Sequence, residues 1–215
     1  MSQNRVFLAL VHYPIYNKNS EVIATSITNL DIHDISRCAA TYDLQQYFLV
    51  HPHPAQHTLA DELLQYWTRG AGARYNPDRC HALSKIRLAE SLEAAEAEIL
   101  KTWGGSLCRV VTDAHPHEHA TSYAALRRRM AEPAAAAPQG VNYLLVFGTG
   151  YGLAKEIIDS ADVILEPVTG RGAYNHLSVR SAASIILDRL LGPAWFDDGL
   201  RSGQDAFEEK RIESK

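Results

Sequence analysis

Short, unbroken apolar runs recur along the chain, and between them apolar residues return every three or four positions. Residues 6–11 (VFLALV) form the first run, which stops at His12-Tyr13-Pro14. Residues 47–50 (YFLV) form the second, closed by His51-Pro52-His53-Pro54. Residues 107–111, 141–147 and 162–165 continue the series. Runs that do not alternate with polar residues suit strands covered on both faces. The intervening segments read as helices. Ile32, Ile35, Ala39 and Ala40 make a helical stripe behind Asp31, a good N-cap residue. Thr58-Leu59-Ala60-Asp61 resembles a capping box with Asp in the Glu place, and Leu59, Leu63, Tyr66 and Trp67 carry that helix to Gly70-Ala71-Gly72. Ser91 caps a helix bearing Leu92, Ala95, Ile99, Leu100 and Trp103, which Gly104-Gly105 ends. Tyr123, Leu126 and Met130 mark another helix. Residues 153–160 form a short one, and Leu177, Ala182, Ile185, Ile186 and Leu190 mark the last, stopped by Gly192-Pro193. Residues 22–30 mix β-branched side chains without a clear period, and Tyr75-Asn76-Pro77 reads as a turn.

Strands alternating with helices predict an α/β fold with a mostly parallel sheet and helices on both faces. In such sheets ligands sit beyond the carboxyl ends of the strands. Chemistry is therefore expected in the loops after Val11, Val50, Val111, Phe147 and Leu165. A single domain over residues 1–192 with a tail at 193–215 accounts for the 215 residues, a length one core can serve. Residues 133–138, four alanines between prolines, read as an exposed connector. With 46% apolar and 21% charged residues, composition excludes wholesale disorder. A net charge of −4 excludes a chain that binds nucleic acid through its overall charge, though a local basic patch such as Arg127, Arg128 and Arg129 remains available. The start carries neither a membrane span nor a secretory leader. Cys38, Cys80 and Cys108 form no CxxC pair and fit reduced thiols in a cytoplasmic protein.

Four features carry candidate chemistry. Gly148, Gly150 and Gly152 alternate after a strand, which lets backbone approach a ligand closely, or simply makes a tight turn. As a dinucleotide fingerprint the loop is off by one residue and falls late in the chain. Residues 166–175 hold Pro167, Gly170 and Gly172 around Arg171, so recognition there would be by backbone. Arg37, on the first helix, could fork onto a phosphate or carboxylate, or simply pair with Asp34. Two histidine groups, His51, His53, His57 and His115, His117, His119, raise a metal-hydrolase alternative. They lack an HExxH spacing and read better as polar loops.

Three C-terminal segments taken in order, residues 145–153 (LVFGTGYGL), 163–168 (VILEPV) and 176–183 (HLSVRSAA), resemble the ordered motifs of the SPOUT RNA methyltransferases. Residues 10–14, 28–34 and 75–77 resemble one bacterial branch of that superfamily. The resemblance implies a C-terminal deep trefoil knot over about residues 141–191 that binds S-adenosylmethionine. It implies a cytoplasmic homodimer acting on tRNA or rRNA, without structural metal or membrane attachment. It places Phe147, Gly148, Thr149, Gly150, Gly152 and Leu153 along the methionine and ribose side of the cofactor. Leu165, Pro167, Val168 and Gly170 fall at its adenine, Leu177, Ser178 and Val179 close the pocket, and Thr112 lines the same edge. It makes Arg37 the group that serves the acceptor, with Asp31 and Asp34 as candidate bases. Three positions depart from the usual motif text: Asp31 and Ser178 replace asparagines, and Gly150-Tyr151 stands where ribose methylators carry a glutamate. A knot that has lost catalysis and merely holds cofactor or RNA is the alternative within the same fold.

Overall fold

The structure, a computed structural model, describes residues 4–132, 138–172 and 174–193. The expected connector at 133–138 therefore lies almost wholly outside the described residues, as does the tail beyond 193. In chain order the elements are β1 (Arg5–Val11), β2 (Ile15–Tyr16), β3 (Val22–Ile23), α1 (Asn29–Thr41), β4 (Tyr47–Val50), α2 (Pro54–Thr68), α3 (Ala71–Tyr75), α4 (Pro77–Ser84), β5 (Ile86–Ala89), α5 (Leu92–Trp103), β6 (Ser106–Thr112), α6 (Tyr123–Ala131), β7 (Val141–Gly148), α7 (Lys155–Asp159), β8 (Val163–Leu165) and α8 (Val179–Leu191). Six strands pair in parallel in the order β5-β4-β1-β7-β6-β8, and β2 and β3 make a small antiparallel hairpin.

Alternate strand residues enter two cores, which is why the runs do not alternate in polarity. Leu8, Leu10, Tyr47, Leu49, Tyr143, Leu145 and Phe147 face α1, α2, α4, α6 and α8. Phe7, Ala9, Val11, Phe48, Val50, Leu144 and Val146 face α5, α7 and the hairpin. The expected layered α/β sheet is thus present.

Several local details differ from the sequence reading. Thr28, not Asp31, caps α1: its hydroxyl accepts from the Asp31 backbone N–H, and Asp31 sits in the first turn. α2 begins at Pro54, where proline needs no N–H partner. Thr58 is therefore inside the helix, its hydroxyl donating back to Pro54 O at 3.1 Å. The turn at Asn76-Pro77 is also a helix start, with Asn76 capping α4 and Pro77 in its first turn. β5 was not foreseen, being a short edge strand with Arg87 exposed in its middle. The three cysteines are free; Cys108 is buried and the other two half-buried. Among the described residues no helix is long and apolar enough to cross a membrane.

A candidate cofactor slot and acceptor cleft

The strand ends are level. Val11 pairs with Gly148 and Thr112 with Leu165, so the loops that follow share one edge of the sheet. β1 leads to α1 on one face and β7 to α7 on the other, whereas β6 leads to α6 on the α1 face. Crevices therefore open between β1 and β7 and between β7 and β6, where successive connections diverge. The first is filled by the β2–β3 hairpin. Tyr151 N–H donates to Tyr16 O, and Tyr16 N–H donates to Gly152 O, both at 2.9 Å. A Cβ on Gly150, whose φ is +59°, would meet Ile15 Cδ1 at 2.8 Å and Tyr16 O at 3.0 Å. Gly148 is closed in the same way by Leu153, 2.9 Å from where a Cβ would sit. Gly152, Gly170 and Gly172 are different: nothing lies within 4 Å of an added Cβ. Beside the second crevice, the loops after β7 and β8, on either side of β6, thus have glycine backbone facing free space.

Polar contacts fix its walls. Thr112 donates to Val146 O at 3.0 Å, joining the ends of β6 and β7. Asn175 Nδ2 donates to Ala114 O at 2.8 Å, tying the loop after β8 to the loop after β6. Glu166 accepts from the Tyr123 N–H at 2.8 Å and anchors the start of the same loop on α6. The side chains of Phe147, Leu153 and Leu165 belong to the cores, so these residues offer the slot backbone only. Thr149 is half-buried and turns toward the hairpin, where it bonds Thr25. Pro167 and Val168 are half-buried along the β8 loop, and Tyr151, Tyr174 and Leu177 are exposed at the edge. A slot walled by backbone and free of large side chains at Gly152 and Gly170 suits an adenosine-bearing cofactor; backbone N–H and C=O groups would recognise the base.

Next to it, α1 and α8 border a cleft of about 550 Å³ lined by Asp34, Arg37, Cys38 and Thr41 from α1, and Ser178, Arg180, Ser181 and Ser184 from the start of α8. Ser178, the N-cap of α8, accepts from Ser181 N–H. The cleft therefore brings Asp34 and Arg37 to the segment carrying Leu177, Ser178 and Val179. Asp31 lies behind them, buried. Its Oδ1 meets Arg180 Nη1 at 3.1 Å and its Oδ2 accepts from the Thr28 hydroxyl at 2.6 Å. Arg180 Nε also reaches Asp34 Oδ2 at 3.3 Å. Arg37 does not pair with Asp34, because Arg180 from the facing helix takes that carboxylate. Among the described residues Arg37 has no ion-pair partner. Both oxygens of Asp31 are engaged, so accepting a proton there would sacrifice a contact. Asp34 is half-exposed and has one partner, which makes it the more available carboxylate.

Arg180 escaped the sequence reading. The departure at Asp31 put a charge in the motif, but nothing in the sequence marked Arg180 as its partner. Only the fold reveals that the two charges face each other.

A third group lies at the ends of β1 and β4. Thr149 donates to Val11 O at 3.2 Å and lies 2.6 Å from Thr25 Oγ1, which lies 3.1 Å from His12 Nδ1. With Thr149's hydrogen on Val11 O, Thr25 donates to Thr149 and His12 Nδ1–H donates to Thr25. His12 Nε2 is left buried without a partner. Burial pulls the His12 pKa down to about 4, with Asp31 opposing and His51 adding to the effect. His51 is lowered too, chiefly by burial. Four of the six histidines of the hydrolase alternative, His51, His57, His115 and His117, have ring nitrogens bonded within the protein. His51 Nε2 bonds Thr25 O, and its Nδ1 accepts from His53 N–H. His115 and His117 both bond Asp113. Burial works to raise the Asp113 pKa, but the hydrogen bonds from the two histidines outweigh it and leave the pKa lowered. Among the described residues no group of three His, Cys, Asp or Glu side chains is arranged to hold a metal.

Fold and site together define an open parallel α/β protein with a backbone-walled slot beside a charged cleft. The family described as SAM-dependent RNA methyltransferase matches residues 5–192, and the chain belongs to that family. The description of that family names S-adenosylmethionine as the methyl donor and RNA as the acceptor. The chain is 43% identical over 199 residues to a tRNA (guanine-N(1)-)-methyltransferase of Nitratidesulfovibrio vulgaris, covering 91% of this chain and 45% of that one. A protein of Aquifex aeolicus is 38% identical over 190 residues, covering 88% of this chain and 90% of the other. The chain spans under half the length of the Nitratidesulfovibrio relative and of a second tRNA (guanine-N(1)-)-methyltransferase from Oleidesulfovibrio alaskensis, 45% and 42% respectively. Among solved structures, a probable methyltransferase of Bordetella pertussis superposes with a TM-score of 0.56 at 16% identity, over 87% of this chain and 92% of that one. TrmJ from Z. mobilis superposes with a TM-score of 0.51 at 13% identity, over 94% and 75%. These two show a shared fold.

Proposed function

We propose that this chain transfers the methyl group of S-adenosylmethionine to a tRNA nucleotide, with the cofactor in the β7–β6 slot and the acceptor in the α1–α8 cleft. The observation that carries the reading is the unpaired Arg37, facing Ser178 across the cleft and backed by the Asp31–Arg180–Asp34 cluster. The cofactor supplies an already activated methyl group, so the chain must add alignment and a proton acceptor. Gly152, Gly170 and the backbone of residues 165–168 hold the cofactor. Arg37 holds a phosphate beside the acceptor, and Asp34 takes the proton. The tRNA assignment rests on the names of the two longer relatives, whose other half could carry that activity. The final third threads through itself as the SPOUT resemblance implies, and the level ends of β6, β7 and β8 are consistent with that path. The enzyme acts in the cytoplasm as a homodimer in which a second copy completes the cleft. Leu30 and Leu177, exposed one residue before Asp31 and Ser178, suit such a contact.

The test separates binding from chemistry. Arg37→Ala is expected to lose at least 100-fold in methyl transfer to unfractionated tRNA, of the order seen when a positioned charge stabiliser is removed. It should leave S-adenosylhomocysteine binding unchanged by calorimetry. Loss of both would return Arg37 to a structural role, and retention of both would remove it from the reaction.

A further inference from the structure

Among the described residues, one face beside the cleft combines guanidiniums free of ion pairs with exposed aromatic rings. Several cations of the chain are neutralised: Arg109 pairs with Glu96, Lys155 with Asp159, Lys85 with Asp43 and Arg180 with Asp31. On the face built by α1, the end of α2, α3 and α4, the guanidiniums of Arg37 and Arg79 have no ion-pair partner among the described residues. Arg79 instead places its guanidinium carbon over the Trp67 ring, 4.5 Å from the centroid. A guanidinium held over an aromatic ring keeps N–H groups that a phosphate can bond. Trp67 is itself held in place. His33 meets it edge-on at 5.6 Å and Tyr66 at 5.1 Å, and both α2 rings close over Gly72, where a Cβ would come within 3.0 Å of each.

The surface begins at the cleft. His33 and Arg37 are four residues apart on α1 and share a helix face. His33 is half-buried, its pKa lowered by burial and then by Arg79, with Arg37 adding and Asp34 opposing. His33 and Arg79 thus meet the same Trp67 ring, and Arg37 lies one turn along α1. At the far end Tyr75 closes α3, next to the Asn76 cap that starts α4, and is 86% exposed. A tyrosine that buries nothing in its own protein presents a ring face for stacking. Phosphate-ready cations alternating with open aromatic rings are the chemistry that holds unpaired nucleotides. The α6 arginines lack it: Arg127 and Arg128 bond the helix carbonyls of Arg189 and Ala124.

We propose that this strip is the track for the RNA strand flanking the acceptor nucleotide, with phosphates on Arg37 and Arg79 and an unpaired base on Tyr75. The proposal rests on the cleft being the acceptor site, and it makes α2–α4 the substrate-reading part of the molecule. It is tested by fluorescence anisotropy of labelled unfractionated tRNA over a salt series, with S-adenosylhomocysteine calorimetry and sedimentation on the same samples. Arg79→Gln should weaken tRNA binding several-fold and reduce the slope of log K against log salt by about 1. Tyr75→Ala should weaken it about tenfold with the slope unchanged. Both should bind S-adenosylhomocysteine and melt like the parent. If both variants bind tRNA as the parent does, with the parent's slope, the track is wrong while the RNA reading of the cleft stands. A parent that binds S-adenosylhomocysteine but no tRNA overturns both. A change of sedimentation with tRNA binding intact assigns the strip to contact between copies and also overturns the track.

Discussion

At Asp31 a carboxylate that the motif resemblance offers as a base has both oxygens engaged within the protein. It sits in the first turn of α1, where a negative charge is favoured, and is buried between Thr28 and Arg180. Removing Arg180 would leave a buried carboxylate with a hydroxyl as its remaining side-chain partner. Arg180→Ala should cost about 2 kcal/mol in urea unfolding, below the range for a fully buried pair because Arg180 is 31% exposed. The double change Asp31→Asn with Arg180→Ser should recover most of that loss. A double variant no more stable than Arg180→Ala alone would show that the two charges do not answer each other. His12 sets a pH dependence of its own. Its folded pKa of about 4 lies below the ordinary 6.5, so the unfolded chain binds the extra proton first. Stability should therefore be full above about pH 6.5 and fall towards pH 4, by on the order of 3 kcal/mol from this group. His33 and His51 shift in the same direction. Unfolding midpoints from pH 7 to pH 4 measure this, and His12→Gln should flatten the curve.

At the scale of elements, glycines in the loops after β7 and β8 look alike in sequence but differ in their surroundings. Gly150 seats its loop on the hairpin, with positive φ and no room for a side chain. Gly170, in the loop after β8, has room and no such backbone demand. Gly150→Ala should lower stability by about 1–2 kcal/mol through strain and contact with Ile15 and Tyr16. Gly170→Ala should leave unfolding within about 0.5 kcal/mol and weaken S-adenosylhomocysteine binding by calorimetry, because the added methyl group projects into the slot. Equal effects of the two changes on unfolding would erase the distinction between a packing glycine and a ligand-facing one.

For the whole molecule, the order β5-β4-β1-β7-β6-β8 decides where function sits. Inserting β7 between β1 and β6 creates two divergent crevices on one edge. The hairpin fills one and leaves the other open, where the proposed cofactor slot lies. The same order brings α8, the last helix, against α1, the first, so that residues about 150 apart in sequence line one cleft. A net charge of −4 is compatible with an RNA substrate because Arg37 and Arg79, neither of them ion-paired among the described residues, can meet phosphates locally beside that cleft.

Strands, most helices and the parallel α/β class were legible in the sequence, because they depend on short-range signals: apolar period, Ser91 and Gly104 at the ends of α5, and unbroken runs for strands buried on both faces. The motif segments also pointed to loops that the fold places at the carboxyl edge of the sheet. Where signals overlapped, the reading failed. Asn76-Pro77 serves a turn and a helix start equally well, and residues 86–89 are too short and too polar at Arg87 to announce an edge strand. Which glycines face protein, which carboxylate holds Arg180, and why Arg37 stays unpaired depended on tertiary structure alone. Each is a contact across the sheet order, and the free energy of such a contact depends on which distant atoms the fold brings within a few ångströms.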